Sequence, residues 1–166
     1  MTITDNDIDA LLRLLAATAS GMAIGLNRDM WGKPTGVRTL GLVALGAALV
    51  ALATLQMPIM VGQADAQSRI VQGVIQGVLA GVGFIGAGVI MRDPKSLQAH
   101  GLTTAATVWV TASLGIAWAL GPWLLATAGV AITLLLLVIV RPLEQMIENK
   151  EPQPAPDESD DRSTKS

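Results

Sequence analysis

The sequence predicts an all-α polytopic membrane protein with five transmembrane helices, its N-terminus outside and its C-terminus in the cytoplasm. Three observations predict it. Hydrophobic residues make up 51% of the 166 and charged residues 14%, a balance that favours lipid over water as the solvent. The charges are also clustered, with none from Ile70 to Met91 and none from Gly101 to Val140. Such runs reach or exceed the roughly 20 apolar residues that a helix needs to cross a bilayer. In hydrocarbon a segment must satisfy its own backbone groups, so these runs form helices.

The first span is expected over Ala10–Leu26. Asp5, Asp7 and Asp9 precede it where a cleaved signal would be basic, so the segment is expected to be retained. Asp9 and Arg13 are four residues apart and can pair on a helix. Otherwise Arg13 is expected to snorkel to the outer interface. Gly32, Pro34 and Gly36 mark a turn before the second span, Thr39–Met57. The third is expected over Ile70–Met91. The second charge-free run is long enough for two spans, Leu102–Leu120 and Trp123–Val140. Gly121-Pro122 divides them, because proline lacks a donor and favours a turn. The last span is rich in β-branched residues, but it shows no polar alternation and reads as a helix. Residues 1–148 thus form the membrane domain. From Asn149 to Ser166, Pro, Ser and acidic residues dominate, and this stretch is expected to be a disordered cytoplasmic tail.

Orientation follows from the positive charges. The first connection holds Arg28, Lys33 and Arg38, and the third holds Arg92 and Lys95. Arg141 and Lys150 follow the last span. The second connection holds Arg69 alone and the fourth none, which places the first and third inside. Trp118 and Trp123 bracket the outer turn and suit an interface.

Several chemistries are excluded. Cysteine is absent, so there are no disulfides and no thiolates. The net charge of −2 includes no basic cluster, so no nucleic-acid partner is expected. His100 is the sole histidine and reads as a hydrated loop residue. No phosphate loop, zinc spacing or nucleophile elbow occurs. Gly81, Gly83 and Gly86 match a dinucleotide fingerprint, yet they lie inside an apolar span with no carboxylate at the required distance. No enzyme activity, cofactor or metal site is expected.

Three groups of residues remain as candidates. Gly73, Gly77 and Gly81 recur at every fourth position, and Gly83, Gly86 and Gly88 extend the small surface. Such residues let helices approach closely, within the monomer or across a homodimer. Nearby Gln72 and Gln76 are expected to face protein, since an amide in hydrocarbon wants a partner. Thr103, Thr107 and Thr111, with Thr104 beside them, form a hydroxyl stripe. It lines a polar path, joins an interhelical network, or back-bonds to its own helix. Asn27, Arg28, Asp29 and Arg38 frame the first inner connection, either as topology charges and a turn or as a binding edge.

Four blocks together resemble the MgtC/SapB family of bacterial inner-membrane proteins. They are GLNRD (Gly25–Asp29), GVRTLGLVALGAAL (Gly36–Leu49), GVGFIGAGVIMR (Gly81–Arg92) and GLTTAATVWVTASLG (Gly101–Gly115). The resemblance covers about Leu11 to Gly121 and implies five membrane helices with a cytoplasmic C-terminus. It also implies a link to magnesium limitation, acid stress and survival inside host cells. Members were once labelled magnesium transport proteins, and many are thought instead to regulate other membrane proteins, ATP synthase among them. Matching the motifs carries over Asn27, Arg28, Asp29, Arg38, Thr103, Thr104 and Thr107. Many members have a folded cytoplasmic domain where this chain is expected to have only a tail. His100 stands where relatives often carry a fixed basic residue.

Two functions follow as expectations. The first is a regulator of other membrane proteins, with the bilayer, those proteins and a second copy of the chain as partners. The second is a small channel or carrier, with Mg²⁺ as a candidate ion. Magnesium prefers octahedral oxygen ligands beside carboxylates, and no Asp or Glu lies within spans two to five.

Overall fold

The computed structural model describes residues 4–55, 64–92 and 99–148. Five helices follow one another: α1 (Asp5–Asp29), α2 (Val37–Leu55), α3 (Ala64–Gly88), α4 (Leu102–Leu120) and α5 (Trp123–Glu148). Between α3 and α4 two-residue strands, β1 (Met91–Arg92) and β2 (Ala99–His100), pair antiparallel with Met91 opposite His100. The expected tail, 149–166, lies outside the described residues.

The helices form where charge-free runs predict them, with shifted ends. α1 starts at Asp5 rather than Ala10, because the Asp7 carboxylate turns back and accepts from the Thr4 amide (2.9 Å) and hydroxyl (2.7 Å). α3 stops at Gly88 instead of Met91, which joins the small hairpin. Gly101 closes that hairpin with φ of 89°, a left-handed conformation that glycine adopts without strain. A side chain there would also strike the Val89 carbonyl oxygen. Four helices, α1, α2, α3 from Asp65 and α4, are long and apolar enough to cross a membrane. The apolar part of α5, Trp123–Ile139, is shorter. The five expected spans are therefore four plus a shorter apolar helix.

The centre of the molecule is α1, α2 and α4, with α3 set against α2 and α4 and α5 against α4 and α1. Its core is made of small side chains. Ala17, Ala48, Ala51 and Ala119 pack around Trp118, and Ile24, Leu40 and Val108 form a second cluster. Small residues bring backbones together. A methyl added to Gly21 would stand 2.4 Å from the Leu40 carbonyl oxygen, and one on Gly25 would stand 2.6 Å from the Val37 Cα. Gly115 of α4 approaches the Ala44 carbonyl of α2 in the same way, at 2.4 Å.

This corrects the expected packing within the monomer. The spacing that seats one helix on another is Gly21–Gly25 in α1. In α3, a methyl added to Gly86 would stand 3.5 Å from the Ala105 Cβ, but one added to Gly73, Gly77, Gly81, Gly83 or Gly88 would meet no described atom within 4 Å. Gln72 and Gln76 are exposed on the surface of the single chain. The opposite side of α3 does the packing, through Ile75, Val78, Leu79 and Val82.

Candidate functional site

Two groups of residues that the sequence keeps apart meet in space. Arg28 lies in the last turn of α1, where a cation suits the negative end of the helix dipole. Its side chain turns inward and is only 4% exposed. Nη1 donates to the Thr107 hydroxyl at 3.3 Å, and Nη2 donates to the Thr104 hydroxyl through a short hydrogen bond. Nε and Nη2 both donate to the Pro34 carbonyl, at 3.2 and 3.1 Å. One guanidinium therefore joins α1, the connection before α2, and α4. Its planar fork of donors suits this task, and its charge is permanent.

The threonine stripe is committed around this cation. Thr107 donates to the Thr103 carbonyl at 2.7 Å, and Thr111 to the Thr107 carbonyl at 2.8 Å. Thr104, Thr107 and Thr111 are buried, whereas Thr103 is exposed and contributes its carbonyl. Interhelical bonding and back-bonding thus coexist in Thr107, while Thr104 bonds across to Arg28 and Thr111 to its own helix. The sequence stripe of Thr103, Thr107 and Thr111 becomes, in space, Thr104 and Thr107 around Arg28 with Thr111 beyond.

The other residues of the expected inner edge separate. The Asp29 carboxylate accepts from the Val37 amide at 2.9 Å and so holds the start of α2. A side chain on Gly36 would overlap that carboxylate. Asn27 is half-buried, and Arg38 faces outward together with Trp31 and Lys33. Between them Thr35 holds φ of 64°, an uncommon conformation for a β-branched residue. Its hydroxyl bonds the same Pro34 carbonyl that receives Arg28.

A second polar cluster lies at the far end of α1, where the Asp9–Arg13 pair that the spacing allows is formed. Arg13 is partly buried, its side chain 19% exposed. It pairs with Asp9 at 2.7 Å and donates from Nη1 to the Trp118 and Gly121 carbonyls at 2.8 and 3.0 Å. These are carbonyls at the end of α4, which no helical amide reaches. Arg13 also stands 5.5 Å from the centre of the Trp123 ring, which meets Trp118 edge to face at 5.3 Å. Trp118 Nε1 donates to the Ser20 hydroxyl at 2.9 Å. Thus α1 and α4 run antiparallel, with one arginine of α1 at each end of α4. The i, i+4 spacing of Asp9 and Arg13 signals the pair. Nothing in the sequence signals the contact with α4.

Among the described residues no three His, Cys, Asp or Glu come together as a metal site would need. His100 is exposed at the end of β2.

The structure thus defines a class, a multi-pass, all-helical membrane protein whose core is tied by a buried arginine at one end and a partly buried one at the other. The sequence model of the MgtC family matches residues 14–146, and the chain belongs to that family. It is 43% identical over 134 residues to Protein SrpB of Synechococcus elongatus, covering 75% of this chain and 71% of that protein. It is 37% identical over 137 residues to Protein MgtC of Salmonella typhimurium strain LT2, covering 82% of this chain and 54% of that protein. Over 145 residues it is 37% identical to YhiD of Escherichia coli K12, whose name proposes it as a magnesium transporter. That match covers 84% of this chain and 64% of YhiD. The chain therefore spans about half of MgtC and somewhat less than two thirds of YhiD. No solved structure matches it.

Proposed function

We propose that this chain is a non-enzymatic regulator of other membrane proteins, linked to magnesium limitation or acid stress, and that it does not itself conduct Mg²⁺. The position of Arg28 carries this reading. The threonine stripe offered the most plausible polar path through α4, and a permanent cation occupies one end of it. A divalent cation there would meet like charge. Magnesium also keeps its waters and favours carboxylates, while Thr107 and Thr111 give their protons to their own helix. Asp29, the nearest carboxylate in sequence, is turned to the Val37 amide.

The name of YhiD supports the link to magnesium and speaks for transport by that protein. The buried guanidinium speaks against a path along this stripe. Outside it, Trp31, Lys33 and Arg38 offer an exposed basic edge to a partner. The charge asymmetry along the sequence supports an Arg28 end that faces the cytoplasm, with the bacterial inner membrane as the host.

The test combines flux with growth. Purified protein enters liposomes that enclose a Mg²⁺-sensitive dye, with correct insertion verified. In parallel, the gene is returned to its deletion strain under low magnesium. We expect no Mg²⁺ entry above empty liposomes, together with restored growth. Saturable entry overturns the regulator, and absence of both flux and rescue overturns the link to magnesium.

A further inference from the structure

We propose that the outward face of α3 is an interface with a second copy of this chain, built around a two-fold axis. This inference is independent of whether Mg²⁺ passes through the protein. Its first support is a contrast among lipid-facing surfaces. The exposed sides of α1 and α5 carry large apolar residues such as Leu11, Leu12, Leu124 and Leu136. On α3 the exposed middle of the helix carries Gln72, Gly73, Gln76, Gly77, Ala80 and Gly81, with the large apolar Ile70 before them and Phe84 and Ile85 after them. Lipid favours the first composition, whereas small residues at four-residue spacing serve close helix contact. The glycines of this row are open to an approaching backbone.

The second support is polar. Gln72 and Gln76 lie one turn apart in an apolar span, and neither makes a hydrogen bond among the described residues. They edge a shallow groove of about 580 Å³ beside Val71 and Ile75. Facing lipid, their amides lose water and gain no partner. An amide is both donor and acceptor, so the same residue across a two-fold axis satisfies it.

The third support identifies the occupant as a second copy. Asp65 and Arg69 continue the glycine row at the same spacing, Asp65-Arg69-Gly73-Gly77-Gly81, and both are exposed. Neither forms an ion pair among the described residues. In a self-complementary contact residue i meets j while j meets i. Asp65 then faces the partner's Arg69, and Arg69 faces the partner's Asp65. The row is electrically complementary to itself.

The chain has no cysteine, so single introduced cysteines report contacts directly. Gly77→Cys and Ala80→Cys place a thiol on the proposed interface, and Leu12→Cys and Leu136→Cys place one on lipid-facing sides of α1 and α5. Membranes containing each full-length variant are oxidised with copper phenanthroline. We expect a homodimer band several-fold stronger for the α3 pair. In the Ala80→Cys background, Gly77→Leu and Asp65→Lys should each weaken that band several-fold, and adding Arg69→Asp to Asp65→Lys should restore it. Equal or absent homodimer bands at α3 and the control sites overturn the proposal. So does an adduct with a different protein in place of the homodimer, which assigns the face to that protein. Failure of the charge exchange to restore the band overturns the two-fold pairing. If Gly77→Leu does not insert, the cysteine comparison in the otherwise native sequence decides.

Discussion

Arg28 and Thr104 stand 76 positions apart in the chain and meet through one hydrogen bond where α1 ends and α4 begins. With Thr107 and the Pro34 carbonyl, this contact fixes the connection between α1 and α2 onto α4. Lysine keeps the charge but has no planar fork with which to reach all three acceptors. Arg28→Lys should therefore destabilise the protein by about 1–3 kcal/mol, the usual cost of broken buried hydrogen bonds. Thermal unfolding in detergent, followed by tryptophan fluorescence, measures it. An unchanged midpoint would mean that the guanidinium fork adds nothing to stability.

The two adjacent threonines should behave differently. Thr104 is buried against Arg28 while Thr103 is exposed. Thr104→Val should cost about 1–3 kcal/mol by leaving a donor of the cation without its acceptor. Thr103→Val should stay within roughly 0.5 kcal/mol, as surface changes do. The same thermal assay compares them, and equal effects would contradict the placement of the hydroxyls.

Glycine substitutions separate the two small-residue patterns. Gly21→Ala puts a methyl 2.4 Å from the Leu40 carbonyl oxygen, so α1 and α2 must part. A cost of about 1–3 kcal/mol is expected for such overpacking. Gly73→Ala meets open space and should leave the unfolding midpoint of detergent-solubilised monomer unchanged or slightly raised, since alanine favours helix by about 1 kcal/mol. Loss of stability at Gly73 and not at Gly21 would reverse the assignment of the core.

At the far end, Arg13→Leu removes the donor to the Trp118 and Gly121 carbonyls and the cation beside the Trp123 ring. We expect a loss of about 1–2 kcal/mol, similar to that of other helix-end contacts. The tryptophan emission maximum should shift as well, because Trp123 and its neighbour Trp118 both lose their setting. An unmoved spectrum would show that the pair is held without Arg13.

Much of this fold was legible because lipid imposes a coarse rule. Runs without charge become helices, and Gly121-Pro122 ends one of them where α4 stops. The site was legible only in parts. Arg28 and the threonines each stood out, but their meeting depends on the antiparallel pairing of α1 with α4, which no local pattern encodes. Asn27, Arg28 and Asp29 look alike in sequence as polar residues at a helix end. The fold gives them separate tasks, because the turn at Pro34 supplies a carbonyl to Arg28 and the start of α2 supplies an amide to Asp29. The glycine spacing left its partner open for a related reason. Gly21–Gly25 and Gly73–Gly77 share a pattern, and only the packed structure shows which of them has a partner within the chain.

The two arginines of α1 also set a length. Fifteen helical steps separate Arg13 from Arg28, or about 22 Å at 1.5 Å per residue. Because each grips one end of α4, these two helices form a unit of fixed height. A membrane that thickens or thins presents that unit with a hydrophobic mismatch it cannot relieve by sliding one helix past the other. Tilt of the whole pair, or adjustment of α3 and α5 around it, must absorb the difference. The central pair is then a gauge against which the surrounding bilayer is measured.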